Sequence, residues 1–520
     1  MNDTEATMSS GLSADGNAPK GDAFVFPTSF GQRRLWFLDQ LEPDSSAYNI
    51  SFATRLIGSV NTDALQAALD DLVARHETLR TSFDVENDEP VQLIEEHGHI
   101  KLQVTNSDDP AEDAIAHLLA QFSNQSFDLR HGPLLKAHLI KTSKNQSILF
   151  FSIHHIIADA WSLGVLYREL VGLYELHSGN SNDSLDALEI QYGDFAEWQQ
   201  EWMQGEDLQK QLNYWKERLS DAPPVLELPI DRPRPRLQTH NGATLSRELS
   251  PALATSLRLL AQSEQCTLFI LLLAAYDVLL MRYSGSDDIV VGTPIAGRGK
   301  RELEPLIGFF VNTLAMRADL SGNPAFTELL QQTKRDSLNA YRNQDVPFEK
   351  LVEELQPDRV MSYSPVFQTL FVLEHSATGS SSFSELTAEA VRVKSDTAKF
   401  DVSLFVSESA DALSCTFEYN TDLFDTATIE RMLNHFDVLL QSIAANPSVR
   451  IGDIQLLSAS ELDTVTRSFN DTACDFGTPQ AVHHLIEKQV TATPNQIAIE
   501  AHEANDFEML SYQELNRRAN

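Results

Sequence analysis

The stretch that most restricts the fold of this chain runs from Ser147 to Tyr174. It opens with "SILFF", an apolar run rich in aromatic and branched side chains, which predicts a buried strand. Beyond it, Trp161, Leu163, Val165, Leu166, Leu170, Val171 and Tyr174 recur at mixed three- and four-residue spacing, as one face of an amphipathic helix does. His154, His155 and Asp159 therefore stand at a strand-to-helix junction.

Successive side chains of a strand point to opposite faces, so the two histidines cannot both address one substrate unless the strand has ended. One packs and the other projects. A neutral imidazole, with an ordinary pKa of about 6.5, accepts a proton near neutral pH, and a positioned base contributes roughly 10²–10⁴-fold to a rate. Asp159 can cap the helix, orient a ring or pair with an arginine. The plainer alternative is a packed histidine pair beside an N-cap aspartate. A metal site is disfavoured, because adjacent strand histidines diverge and no further His or Cys cluster lies nearby to complete a ligand shell.

Composition narrows what such a junction can serve. A chain of 520 residues exceeds one hydrophobic core, so two or three packed units are expected. Its formal charge of −36, from 75 acidic and 39 basic residues, repels a polyanion, so nucleic acid is not an expected partner. Cys266, Cys415 and Cys474 are widely spaced and form no CxxC pair, which argues against a disulfide framework or a zinc site and for a reducing, cytoplasmic setting. The first residues lack the basic and apolar segments of a signal peptide, and no stretch offers about 18 uninterrupted apolar residues, so neither export nor a membrane span is expected.

Along the chain, residues 1–22 are small, polar and acidic and predict a flexible tail, with a docking segment as the alternative use. "NTDALQAALDDLVARH" predicts a helix capped by Asn61 or Thr62, with Leu65, Ala68, Leu69, Leu72 and Val73 inward, and "ETLRTSF" follows as a strand entry. The Pro- and Arg-rich segment 228–243 admits neither helix nor central strand and predicts a crossover between units. A strongly apolar helical segment after it, then "DIVVGTPIAG", predicts a second α/β unit. The "EHGH" at 96–99 predicts a solvated turn, and His483 and His484 are expected to be non-catalytic. GxGxxG, P-loop, HExxH and GxSxG motifs are all missing.

"HHIIADAWS" resembles the HHxxxDG motif of nonribosomal peptide synthetase condensation domains, with Ala160 where glycine is usual. Five further segments resemble that family's motifs in its order: "SFGQRRLWFLDQLEP" at 29–43, "RHETLRTSF" at 75–83, "YGDFAEWQ" at 192–199, "IGFFVNTL" at 307–314 and "QDVPFEKLVEEL" at 344–355. "FNDTACDF", "HHLIEKQVTATPNQIAIE" and "LSYQELNRRAN" resemble the linker and opening of an adenylation domain, so the chain reads as a piece of a longer protein.

The resemblance implies an α/β fold of two chloramphenicol-acetyltransferase-like lobes forming a V around a central channel. It divides the chain into a tail (1–22), an N-terminal lobe (23–183), a C-terminal lobe (184–460) and a linker with a truncated adenylation start (461–520). It implies that His155 assists attack of an acceptor amine on a donor thioester, as base or by positioning the amine. His154 then packs, and Asp159 is structural, held by Arg298. Ala160, Trp161 and Ser162 would line the channel, Trp161 also packing the new helix on the sheet. The alanine at 160 implies a slightly narrowed but active channel, since glycine there would allow close approach or unusual backbone angles.

No bound cofactor or metal is implied. The substrates ride on the phosphopantetheine of donor and acceptor carrier domains, or on CoA, and an adenylation domain follows. A heterocyclisation subtype would carry aspartates in place of the histidines, and an epimerisation domain would not precede an adenylation domain. Two classes stay open: an amide-forming enzyme, either elongating or a starter that takes a fatty acyl donor, and a non-catalytic recruitment module of the same fold.

Overall fold

The apolar run around Phe150 extends in both directions into a nine-residue strand, Gln146–His154, at the middle of a five-stranded sheet. In this computed structural model the described residues are 23–107, 111–202, 205–357, 360–375, 383–391, 393, 396–409, 412–475, 481–503 and 506–520. The expected tail at 1–22 lies outside them. Two compact units are present, one ending at Leu456 and the other spanning Leu457–Asn520.

The larger unit holds two main hydrophobic cores. The sheet of the first runs in the spatial order Thr387–Val391, Asn49–Ile57, Gln146–His154, Leu135–Ser143, Leu102–Asn106, antiparallel except for the last pair. On it packs the helix Thr62–Arg75, capped by the Asn61 side chain, which accepts the Ala64 N–H, with Leu65, Ala68, Leu69, Leu72 and Val73 buried as the periodicity predicts. Its neighbour is the helix Ala160–His177, where Val165, Leu166, Leu170, Val171 and Tyr174 are buried.

The second core surrounds a six-stranded sheet in the order Asn312–Asp319, Asp288–Ile295, Thr369–His375, Val402–Glu408, Leu413–Asn420, Gly242–Glu248. Thr369–His375 is parallel to both its neighbours; the other pairs are antiparallel. Every residue from Ile270 to Leu280 of the helix Leu268–Ser284 is buried against it, and the helix stops at Gly285, whose φ of 72° suits a residue without a Cβ. Among the described residues no single helix is long and apolar enough to cross a membrane; Pro251–Ser263 and Leu268–Ser284 pass together by composition, but they bend by 106°. The latter is a core helix.

One exchange between the lobes was not legible from the sequence. Thr387–Val391 lies well beyond residue 184, yet it adds to the first lobe's sheet by pairing antiparallel with Asn49–Ile57. Burial drives it: Phe383 and Leu386 enter the first core, and the Phe383 ring meets Tyr174 edge-on at 5.3 Å. A buried carboxylate on the first lobe, Glu175, accepts the Ser384 N–H at 3.0 Å.

In the smaller unit the described residues form short helices and one antiparallel pair, Ile497–Glu503 with Asp506–Ser511. His483 and His484 are exposed there and face each other at 4.1 Å between ring centroids.

Candidate active site

The strand ends at His154, and one tight helical turn, His155–Ile157, separates it from the helix beginning at Ala160. That turn lets two adjacent histidines take different roles. The His154 ring is buried, its Nδ1 accepts the Ile156 N–H at 3.2 Å, and it meets Phe127 edge-on. Burial, and then the charge of Lys399, pull its pKa down to about 3, so the ring is neutral.

The His155 ring stays half-buried. Its backbone N–H donates to the Tyr48 carbonyl at 2.8 Å, and Phe309 approaches the ring edge-on at 4.9 Å. Nδ1 lies 2.8 Å from the Ala158 carbonyl oxygen. A carbonyl can only accept, so Nδ1 carries the proton and Nε2 is left with its lone pair. Burial first, and Lys399 second, hold the ring well below the usual histidine pKa, so this acceptor is maintained at neutral pH.

Asp159 caps the helix and is fully buried. One carboxylate oxygen takes the Ser162 N–H at 2.8 Å and lies 2.7 Å from Ser162 Oγ and 3.2 Å from Arg298 Nη2; the other takes the Phe310 N–H at 3.0 Å. Arg298, 2% exposed, also donates through Nη1 to the carbonyls of Leu303 and Leu306 and stacks on Phe310 at 4.0 Å. Burial works against its charge and Asp159 opposes that effect. Arginine retains its proton even so, and the pair joins the helix start of one lobe to the loop of the other.

The three residues expected to line a channel differ in exposure. Ser162 is buried, with Oγ in hydrogen-bond reach of Asp159, Arg298 and both backbone polar groups of Gly308, because the first turn of the helix faces the other lobe. Trp161 does not pack on the sheet: its side chain is 47% exposed and its Nε1–H donates to the Glu304 carbonyl at 2.9 Å. Ala160 is exposed at the first helical position and is not among the described residues with positive φ, so its backbone does not require glycine.

The quoted motifs converge here. Thr78 donates to the Ile307 carbonyl at 2.9 Å, the Tyr192 hydroxyl lies 2.7 Å from the Phe309 carbonyl and 2.9 Å from Ser29 Oγ, and Gln32 donates to the Ile156 carbonyl at 3.2 Å. Arg34, from the first of these segments, meets Glu349, from the last, at 3.3 Å. Among the described residues no group of three His, Cys, Asp or Glu side chains is placed to hold a metal ion. His97 and His99 are exposed, the latter 2.8 Å from Asp70.

The sequence family described as "Condensation domain" matches residues 23–465. The chain belongs to that family. It is 43% identical over 500 residues to a linear gramicidin synthase of Brevibacillus parabrevis, covering 95% of this chain and 6% of that protein. It is 40% identical to a chondramide synthase of Chondromyces crocatus, over 96% of this chain and 13% of that one. The chain thus spans only a small fraction of these curated relatives.

Among solved structures, a four-domain nonribosomal peptide synthetase bound to AMP and glycine aligns with a TM-score of 0.83 at 26% identity, over 96% of this chain and 39% of that one. The X-domain from teicoplanin biosynthesis aligns with a TM-score of 0.77 at 27% identity, over 83% and 97%. The condensation domain is thus of the nonribosomal peptide synthetase type, an α/β acyltransferase fold of amide-forming enzymes.

Several participants escaped sequence reasoning. Tyr48 acts through its backbone carbonyl, which no residue pattern announces. Phe309 and the Phe310 N–H lie within a motif that was recognised, but only the fold brings them to His155 and Asp159. Lys399 carries no motif at all.

Proposed function

We propose that this condensation domain forms an amide bond by attack of a carrier-bound aminoacyl α-amine on a donor thioester, with His155 the catalytic residue. The carrying observation is the contact of His155 Nδ1 with the Ala158 carbonyl at 2.8 Å: the carbonyl requires the proton on Nδ1, which leaves the Nε2 lone pair to accept an incoming N–H. The amine nitrogen bonds to the carbonyl carbon, the C–S bond breaks, the thiol leaves with a proton, and the nitrogen sheds one. An imidazole with so low a pKa is a weak base. Its main contribution is to orient the amine and relay its proton as the nitrogen becomes cationic in the adduct.

No nucleophilic serine or cysteine is called for, because the thioester is already activated. Juxtaposing two reactants can itself supply roughly 7–11 kcal/mol. His154 keeps the junction packed, while Asp159 and Arg298 hold the lobes around it. The reading needs no bound cofactor or metal. Its partners are a donor and an acceptor carrier domain bearing phosphopantetheine, or CoA as donor, with an adenylation domain following in the chain. Three free cysteines suit a reducing, cytoplasmic setting.

The test offers the protein an acceptor aminoacyl carrier with a peptidyl carrier, an aminoacyl carrier, or fatty acyl-CoA, and detects product by mass. Amide from the peptidyl or aminoacyl carrier marks an elongating domain; amide from the fatty acyl donor alone marks a starter. A second reading, a recruitment module, draws on the likeness to the X-domain, which has been solved in complex with OxyB. Folded protein that makes no amide from any donor favours it.

A further inference from the structure

Lys399 precedes the strand Val402–Glu408 of the second lobe, and its ammonium lies 5.3 Å from the centre of the Tyr48 ring on the first. Tyr48 is the residue whose carbonyl takes the His155 backbone N–H at 2.8 Å. A cation from one lobe is thus set one residue away from the catalytic histidine of the other. Among the described residues its ammonium makes no hydrogen bond and no ion pair within 4 Å.

Its charged neighbours among the described residues stand near it without pairing with its ammonium. Glu418, on the strand Leu413–Asn420, accepts the backbone N–H of Lys399 rather than its ammonium; burial raises the pKa of that carboxyl, and the Lys399 charge pulls it the other way. Arg34 adds a second positive charge, itself tied to Glu349 at 3.3 Å. Glu42 lies near Tyr48 but stands 4.0 Å from His240 Nε2. His154 and His155 are the remaining titratable groups beside it, both held neutral. Lys399 is half-buried, and burial pulls its pKa below the usual lysine value; holding an ammonium there without an ion pair costs free energy. The face of the Tyr48 ring offsets part of that cost, but no ion pair completes it, so the field of the ammonium reaches the neighbouring groups of the site.

The reaction proposed above supplies the use, and the inference rests on that reading. An amine attacks only as the free base, because an ammonium has no lone pair, and an imidazolium cannot accept an N–H. A fixed cation raises the free energy of any second positive charge beside it. We propose that Lys399 is a positioning residue for amide formation: it keeps His155, and the acceptor amine that docks on it, uncharged.

The experiment titrates His155 by NMR in the full chain, the signal assigned by its loss in His155→Asn. Wild-type protein is compared with Lys399→Arg, Lys399→Met and Lys399→Glu. In the wild type and Lys399→Arg the ring titrates well below the usual histidine range, whereas its titration moves upward in Lys399→Met and further in Lys399→Glu. In parallel, the amide-forming rate of Lys399→Met falls several-fold near about pH 6 and recovers near about pH 8.5, and Lys399→Arg follows the wild type. A His155 titration that is unchanged in the variants, including one that stays below the accessible range in all of them, overturns the proposal. If Lys399→Glu fails to fold, Lys399→Met is judged by the same criterion. The NMR readout requires no turnover, so a failure of the amide-forming reading itself is seen separately.

Discussion

Replacing Arg298 by methionine removes a guanidinium that is 2% exposed and leaves a fully buried Asp159 carboxylate behind. Breaking a buried pair from one side costs about 3–5 kcal/mol. Asp159 retains the N–H groups of Ser162 and Phe310, which places the carboxylate's share at the lower end, but the carbonyls of Leu303 and Leu306 lose their donor, at about 1 kcal/mol each. A loss of about 4–5 kcal/mol is therefore expected for Arg298→Met, and about 3–4 kcal/mol for Asp159→Asn, which leaves the guanidinium buried without its counter-charge. In the double variant neither charge remains to be orphaned, so the losses should fall short of their sum by at least about 1.5 kcal/mol. Urea unfolding of the full chain, followed by tryptophan fluorescence at matched conditions, gives all corners of the cycle. Losses that add to within about 0.5 kcal/mol would show that the two side chains do not act as a unit, and the account of how the lobes are joined would fall.

His155→Ala should leave the melting temperature close to wild type, since the ring is half-buried, and lower amide formation by at least about tenfold in a single-turnover assay. Unchanged turnover would remove it from the reaction. His154, neutral in the fold with a pKa of about 3 against 6.5 when exposed, binds its proton in the unfolded chain first. Its contribution is therefore complete above about pH 6.5 and is lost as the pH falls toward 3, at about 1.4 kcal/mol per unit, so His154→Leu should flatten the acid limb of stability against pH. An identical limb in both proteins would contradict the burial argument. Ser162→Ala should cost about 1–3 kcal/mol, because its Oγ lies between Asp159, Arg298 and Gly308, and activity should fall only as stability does. A variant with full stability and altered donor preference would return Ser162 to the channel wall.

The sequence by itself determined the elements that short-range physics controls. The alternation and branching of "SILFF" made a strand, the spacing from Val165 to Tyr174 made a helix, and Asn61 marked the start of another, because period and capping are written in neighbouring residues. The histidine pair and Asp159 were legible for the same reason, as polar groups at the junction of two apolar patterns. Motif order carried the family.

Only the tertiary structure decided what depends on residues far apart in the chain. It assigned different faces to His154 and His155 by ending the strand between them, and it chose the His155 tautomer through the Ala158 carbonyl. It turned Ser162 inward and Trp161 outward, although helical spacing gave Trp161 a place on the apolar face, because the first turn of that helix meets the loop of Gly308 and Glu304 rather than its own sheet. It carried Thr387–Val391 back into the first sheet and Lys399 to the edge of the site. Such placements follow from where large apolar surfaces find burial, and no local pattern records which distant surface that will be.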